Sequence, residues 1–432
     1  MNRQSLHVIL FMTCFCLLLS EAVNARVSIL TGSISLREGY DSNIYRTQNN
    51  EISGWTTTIT PALELSSQGE DDTVSIGYAP GFSYDHKRKE NEIDHRFFLR
   101  GDKDYSKDFH ASLRETYIRS SNTFIESETL YIDGERLLRE YNRRDRLWTN
   151  TVVVQTDYEY AKESFFTLSY ANHILEHLTT TSLSNDDYMR HNPRAYLSYQ
   201  INHMWGFAAF YSYIKGDFDV SEDLTSHNPG LRVNYRRTPL STLFGSYALR
   251  DTSYTGILRE DYRIHDVSLG IDHEINPATN ISLSVGYSRV DMSVSKDEDD
   301  FNGSISLTKT TQRGSFNISG EGGLDESNFS GADNGLSWFS TAWGSIDYLL
   351  TETSNVDVFA GVRMEDYLDR TINNDEKAYY GGGGLSYNFA RWFTLSLRYN
   401  YLQFEAEDPI RDDYVDHRFY VALGAAKELW RW

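Results

Sequence analysis

The chain is 432 residues long, carries a formal net charge of −21, and contains 30 Tyr, 7 Pro and two cysteines, Cys14 and Cys16. The acidic balance argues against a nucleic-acid partner, which needs a basic face. Both cysteines lie in a segment expected to be removed, which excludes disulfide scaffolds, thiol catalysis and zinc–thiolate sites from the rest.

In chain order the first element is a leader. Arg3 supplies a positive start, Val8 to Leu19 is a short apolar run, and Val23-Asn24-Ala25 places small residues before a cleavage site. The run is too short to cross a bilayer as a helix, which needs roughly 20 residues, so a cleaved signal peptide over 1–25 is expected. No later stretch is apolar enough for a transmembrane helix, and mean hydropathy is −0.52. A tyrosine-rich, polar-on-average exported chain fits a transmembrane β-barrel, in which only alternate residues face lipid.

The remainder alternates with period two. In "DTVSIGYAPGFSY" Val74, Ile76 and Tyr78 share one face and Ser75, Gly77 and Ala79 the other. "NISLSVGYS" sets Ile281, Leu283, Val285 and Tyr287 against Ser282, Ser284, Gly286 and Ser288. "FTLSLRYNY" repeats this with Leu395, Leu397 and Tyr399 against Ser396, Arg398 and Asn400. One polar face sustained with this period belongs to strands, not helices.

The pattern predicts strands near 28–39, 54–66, 73–84, 92–104, 108–120, 146–160, 164–175, 189–201, 205–216, 227–237, 241–253, 262–275, 279–292, 300–310, 314–325, 336–350, 354–367, 376–389, 393–405 and 414–426. That is an all-β chain: one antiparallel barrel of about 18–20 strands over 26–432, without a linker, short turns facing the periplasm and longer loops outside. Short turns are expected at 66–72, 105–108, 275–280, 310–314, 350–355 and 389–392. Longer, acidic and polar loops are expected at 40–53, 121–145, 176–188, 217–226, 293–299, 325–335, 368–375 and 406–413. A propeller would show a blade repeat, and none is found.

The last strand places Phe419, Val421, Leu423 and Ala425 outward and runs to Trp430 and Trp432. A terminal aromatic on such a strand resembles the signal read by the barrel assembly machinery. These tryptophans have the opposite parity, so either a bulge lies near Lys427 or the final residues leave the strand.

If the apolar parity faces lipid, the other lines the lumen. It carries Arg194, Arg232, Arg250, Arg363, Arg398 and Arg418, the acids Asp157, Glu159, Asp266, Asp272 and Asp357, and Tyr196 and Tyr420. Two readings stay open: the arginines hold an anionic or polyhydroxylated polymer by bidentate contacts, with the tyrosines as stacking surfaces, or they pair with the acids and brace a wide barrel. Catalysis has little support, because His173 and His177 near Ser169 and Glu176, and His265 beside Asp266, do not have spacings that force a triad. The acidic run Lys296 to Asp300 lacks the glycine pivot of a calcium loop. Neither a metal nor another cofactor is expected.

"SLREGYDSNIYRTQNNEISGWTTTITPALELSS" (35–67) resembles the start of the β-barrel porin-2 type of outer-membrane proteins, on Tyr40, Asp41, Asn43, Ile44, Tyr45, Thr60, Pro61, Leu63 and Leu65. The resemblance covers these residues, the length and the terminal aromatic. It implies a non-enzymatic porin-like barrel in the outer membrane of a Gram-negative bacterium, acting in exopolysaccharide export or attachment with periplasmic export proteins. Alternatives are a general diffusion porin, or an adhesive barrel acting through loop 121–145 with its basic cluster Arg136 to Arg146. The expected surroundings are outer-membrane lipid and lipopolysaccharide. Asp41, Ser42 and Asn43 read as turn formers ending the first strand, and Tyr40 and Tyr45 as an interfacial girdle.

Overall fold

The computed structural model describes residues 26–120, 131–132, 135–136, 146–178, 186–257, 259–326, 328–329, 335–368, 375–407 and 413–432. The expected signal peptide, its cleavage site and most of loop 121–145 lie outside these residues.

The strands are β1 (Val27–Asp41), β2 (Gly54–Gln68), β3 (Asp72–Asp85), β4 (Glu90–Ser106), β5 (Phe109–Ser120), β6 (Tyr131–Ile132), β7 (Glu135–Arg136), β8 (Leu147–Ala161), β9 (Ser164–His177), β10 (Tyr188–Gln200) and β11 (Trp205–Phe218). They continue as β12 (Leu224–Thr238), β13 (Ser241–Tyr254), β14 (Tyr262–Asn276), β15 (Thr279–Met292), β16 (Glu298–Thr311), β17 (Gly314–Glu326), β18 (Leu336–Thr351), β19 (Ser354–Tyr367), β20 (Glu376–Ala390), β21 (Phe393–Ala406) and β22 (Tyr414–Arg431). Except for the small β6–β7 hairpin, they form one 20-stranded antiparallel sheet in which chain neighbours pair. β1 pairs both β2 and β22, so the sheet closes and has no free edge. The all-β, single-barrel expectation agrees with this architecture.

Connections at one end are short, such as 162–163, 239–240, 277–278 and 352–353; at the other they include 42–53, 219–223 and 327–335. The alternation read from the sequence explains the wall. On β14, Val267 and Leu269 are exposed outward, and Asp266 beside them takes a 3.0 Å hydrogen bond from Arg250 on the inside. Exposed Ile34, Leu36, Ile59, Leu63, Leu231, Leu283 and Val285 continue the outer apolar face.

The parity conflict at the C-terminus is resolved by a bulge. Thr31 pairs with Glu428 and Leu30 with Trp430, so Leu429 is the extra residue. The strand then continues, with Ser28 and Trp432 exchanging backbone hydrogen bonds of 2.9 and 3.1 Å. The added residue restores Trp430 and Trp432 to the outer face, beside Leu30 and Ser28.

Candidate functional site

The buried apolar clusters of this barrel lie inside its mouth, at the end with the longer loops. The β16–β17 ladder stops at Gly303 and Gly322, whereas β17 and β18 stay paired up to Glu326 and Leu336. Released from β16, the tip of this hairpin leans into the lumen. Leu324 has the parity of Ile318, which is exposed on the outer face, yet Leu324 and Leu336 pack with Tyr262, Ile264 and Val290. Ile264 and Val290 share the inner face of β14 and β15 with Asp266 and Ser288. The outer face of the hairpin tip is therefore buried against the inner wall.

The next residues extend the crossing. The Asn328 side-chain oxygen accepts hydrogen bonds from Tyr254 Oη at 3.0 Å and Arg259 at 3.2 Å, and its amide donates to Tyr262 Oη at 3.3 Å. Phe329 is buried among Leu175, Tyr188, Ile214 and Leu224, from β9 to β12. Tyr188 Oη donates to its carbonyl at 2.8 Å, and the Arg190 guanidinium lies 4.7 Å from its ring centre. Gly216 makes the space, because a Cβ there would meet the Phe329 ring at 2.9 Å. Burying one phenyl ring contributes about 1.5–3 kcal/mol, enough with these hydrogen bonds to hold the tip across the mouth. Residues 325–335 read from sequence as an outer loop; the contrary placement of Asn328 and Phe329 depends on partners far away in the chain.

Below the mouth the inner wall is polar. Arg232 donates to Asp272 at 3.1 Å and to Asn234 at 2.8 Å; Arg250 lies 3.0 Å from Asp266 and 3.8 Å from Glu326. Arg398 reaches Asp357 at 2.7 Å, Arg363 is paired with Asp325 and Glu365, and Arg418 is paired with Asp416 and lies 3.6 Å from Asp41. At least five of the six arginines singled out from the sequence thus engage carboxylates of the same wall. The sixth, Arg194, lies opposite Ser169 and Ser212. Of the inward tyrosines, Tyr196 is solvent-exposed, and Tyr420 receives the Arg37 guanidinium at 5.6 Å. Asp157 takes hydrogen bonds from Gln155 and Thr167.

The histidines considered for catalysis are not brought together. His173 Nδ1 is 2.8 Å from Thr151 Oγ1, His177 Nδ1 is 2.6 Å from Asp187, and His265 faces outward against Tyr247. Glu176 accepts from Trp148 on the outer face. No group of acids, histidines or cysteines able to hold a metal occurs among the described residues.

The N-terminal element lies on the seam that closes the barrel. Asp41 accepts from the Asn43 backbone at 2.9 Å, and Asn43, fully buried, donates to the carbonyls of Thr47 at 2.8 Å and Val415 at 3.3 Å. Ile44 is buried against Gly54, where a Cβ would approach it to 2.5 Å. Tyr40 packs on Trp55 with ring centres 5.1 Å apart, Tyr45 is exposed, and Pro61 faces Ile34. The segment fastens the first loop to β22.

Sequence reading misses Arg37, Arg96, Arg100, Arg114 and Arg190 on the inner face. The adjacent pair Phe97-Phe98 hides the parity of β4, because one ring faces out and the other in.

Two structures of mutants of the ferric enterobactin receptor from Pseudomonas aeruginosa are similar to this chain. One, in complex with enterobactin, gives a TM-score of 0.55 at 8% identity, over 92% of this chain and 81% of that one. The other, a double mutant, gives 0.53 at 7% identity, over 92% of this chain and 80% of that one. No protein-family model matches the chain, and no curated protein matches it. At these identities the likeness shows the fold alone: a closed antiparallel β-barrel like that of those receptors.

Proposed function

We propose that the chain is a non-enzymatic, porin-like channel of the Gram-negative outer membrane, passing polar solutes through a mouth narrowed by the β17–β18 hairpin. The observation that carries this reading is Phe329, anchored from a loop onto the inner wall of β9 to β12 above a polar lumen. The apolar outer face supports insertion in the bilayer among lipopolysaccharide, after export by the leader and folding by the assembly machinery.

Planar-bilayer recording tests it. The wild type should give a small, steady conductance, and Phe329→Ala, which unseats the hairpin tip, should raise it severalfold. Absence of any conductance in both proteins would overturn the reading.

A second reading, exopolysaccharide export or attachment, draws on the family-like segment 35–67 and on inner-wall groups suited to sugars, exposed Tyr196 and the Arg37–Tyr420 stack. Deleting the gene and measuring surface and periplasmic polysaccharide decides it; unchanged amounts in both would remove it.

A further inference from the structure

We infer that the inner wall of β4 and β5 carries an oxyanion-binding site, built by Arg100 and Arg114 with Arg96 as a neighbouring foothold, for a carboxylate or phosphate group. Arg100 lies directly opposite Arg114 in the β4–β5 ladder. All three arginines are exposed to the lumen. Cβ atoms of directly opposed residues are roughly 5 Å apart, and like charges so placed repel. Among the described residues no carboxylate pairs with any of the three. Asp94 and Asp102 share the inner face of β4, but the side chain beside Asp102 is the His110 imidazole at 3.9 Å. In a chain with 62 Asp and Glu to 41 Lys and Arg, such an unneutralised pair marks a place where the missing charge comes from a ligand.

The site is also preorganised. Gly77 on β3 admits the Phe98 ring, since a Cβ there would lie 2.2 Å from it, and the Arg100 guanidinium stacks over that ring at 5.2 Å from its centre. The ring attracts one face of the guanidinium and leaves its N–H donors for a planar or tetrahedral oxyanion. Ser75, directly opposite Arg100 on the other side, brings a hydroxyl-bearing side chain to the same row. Arg96, four residues along the same strand and so about 13 Å away, faces the lumen on the way to the mouth.

The proposal names a solute class for the channel and rests on the lumen being the permeation path, so binding and conduction are measured separately. Calorimetry on the detergent-solubilised full chain uses citrate and pyrophosphate as carboxylate and phosphate probes. Arg100→Gln with Arg114→Gln should weaken binding at least about tenfold, the loss expected when charge-assisted hydrogen bonds are removed. Ser75→Asp, which leaves every arginine in place but supplies an internal carboxylate opposite Arg100, should weaken it comparably. Binding by one probe alone assigns the oxyanion. In salt-gradient recordings the same variants should move the reversal potential toward cation selectivity. Loss of binding in a chain that conducts nothing keeps the site and removes the channel reading. Conduction with affinity and reversal potential unmoved by both variants overturns the site and keeps the channel.

Discussion

On β3 and β4 the Phe98 ring lies across Gly77 and carries the Arg100 guanidinium; on β13 and β14 the Phe244 ring lies across Gly270 and carries Arg232 at 3.7 Å. The second guanidinium is capped by Asp272 and Asn234, which makes it a brace between β12 and β14. The first meets Arg114 instead. One side-chain stack thus serves two purposes, decided by whether a carboxylate stands at the guanidinium edge. Stacking orients an arginine; its partner determines whether the charge is spent on the wall or left for a solute.

The glycines give the largest expected difference between the two regions. A Cβ on Gly270 would meet both the Phe244 ring at 2.3 Å and the Leu283 carbonyl oxygen at 2.5 Å, whereas the three atoms nearest to one on Gly77 all belong to the Phe98 ring. Backbone cannot swing aside, so Gly270→Ala should lose about 3 kcal/mol and Gly77→Ala about 1 kcal/mol, as overpacking commonly does. Urea-unfolding midpoints in detergent check this, and equal losses would dissolve the distinction.

The braces themselves rank next. Arg250 and Asp266 are both three-quarters covered, with side-chain exposures of 24%. Asp266→Ala should therefore lower stability by about 1–2 kcal/mol, in the range of hydrogen bonds to charged groups. A variant as stable as wild type would mean that Glu326 alone neutralises Arg250.

The smallest stability effect is the sharpest test of the comparison. Asp272 and Arg232 are more than a third exposed, so Asp272→Asn should change stability by about 0.5 kcal/mol or less. It should nevertheless turn Arg232 into a second stacked arginine without a carboxylate, adding an oxyanion site in calorimetry with citrate. An unchanged stoichiometry would show that a vacant guanidinium edge does not make a site.

Much of the wall is legible in local pattern. The alternation around Leu283 and Val285 marks β15 to within a residue or two, because the two faces of a strand meet different solvents and that difference is written into every second residue. Arg232, Arg250 and Asp266 fall on one face for the same reason. Arg100 cannot be assigned this way, since Phe97 and Phe98 are both apolar and only their partners on β3 and β5 show which one faces inward. Leu429 illustrates the intermediate case: the reversed parity of Trp430 announces an irregularity, and pairing with β1 locates the extra residue.

Class is within reach of the sequence by itself, because period-two alternation and turn spacing are local properties, whereas closure rests on the pairing of β1 with β22. Which arginine meets an acid is decided only by tertiary structure: Asp272 and Asp357 each lie some 40 positions from the arginine they neutralise. Phe329 belongs to the same group. It stands in a polar, acidic stretch, and it becomes a buried anchor only because residues more than a hundred positions away, Tyr188 among them, form a wall for it to reach.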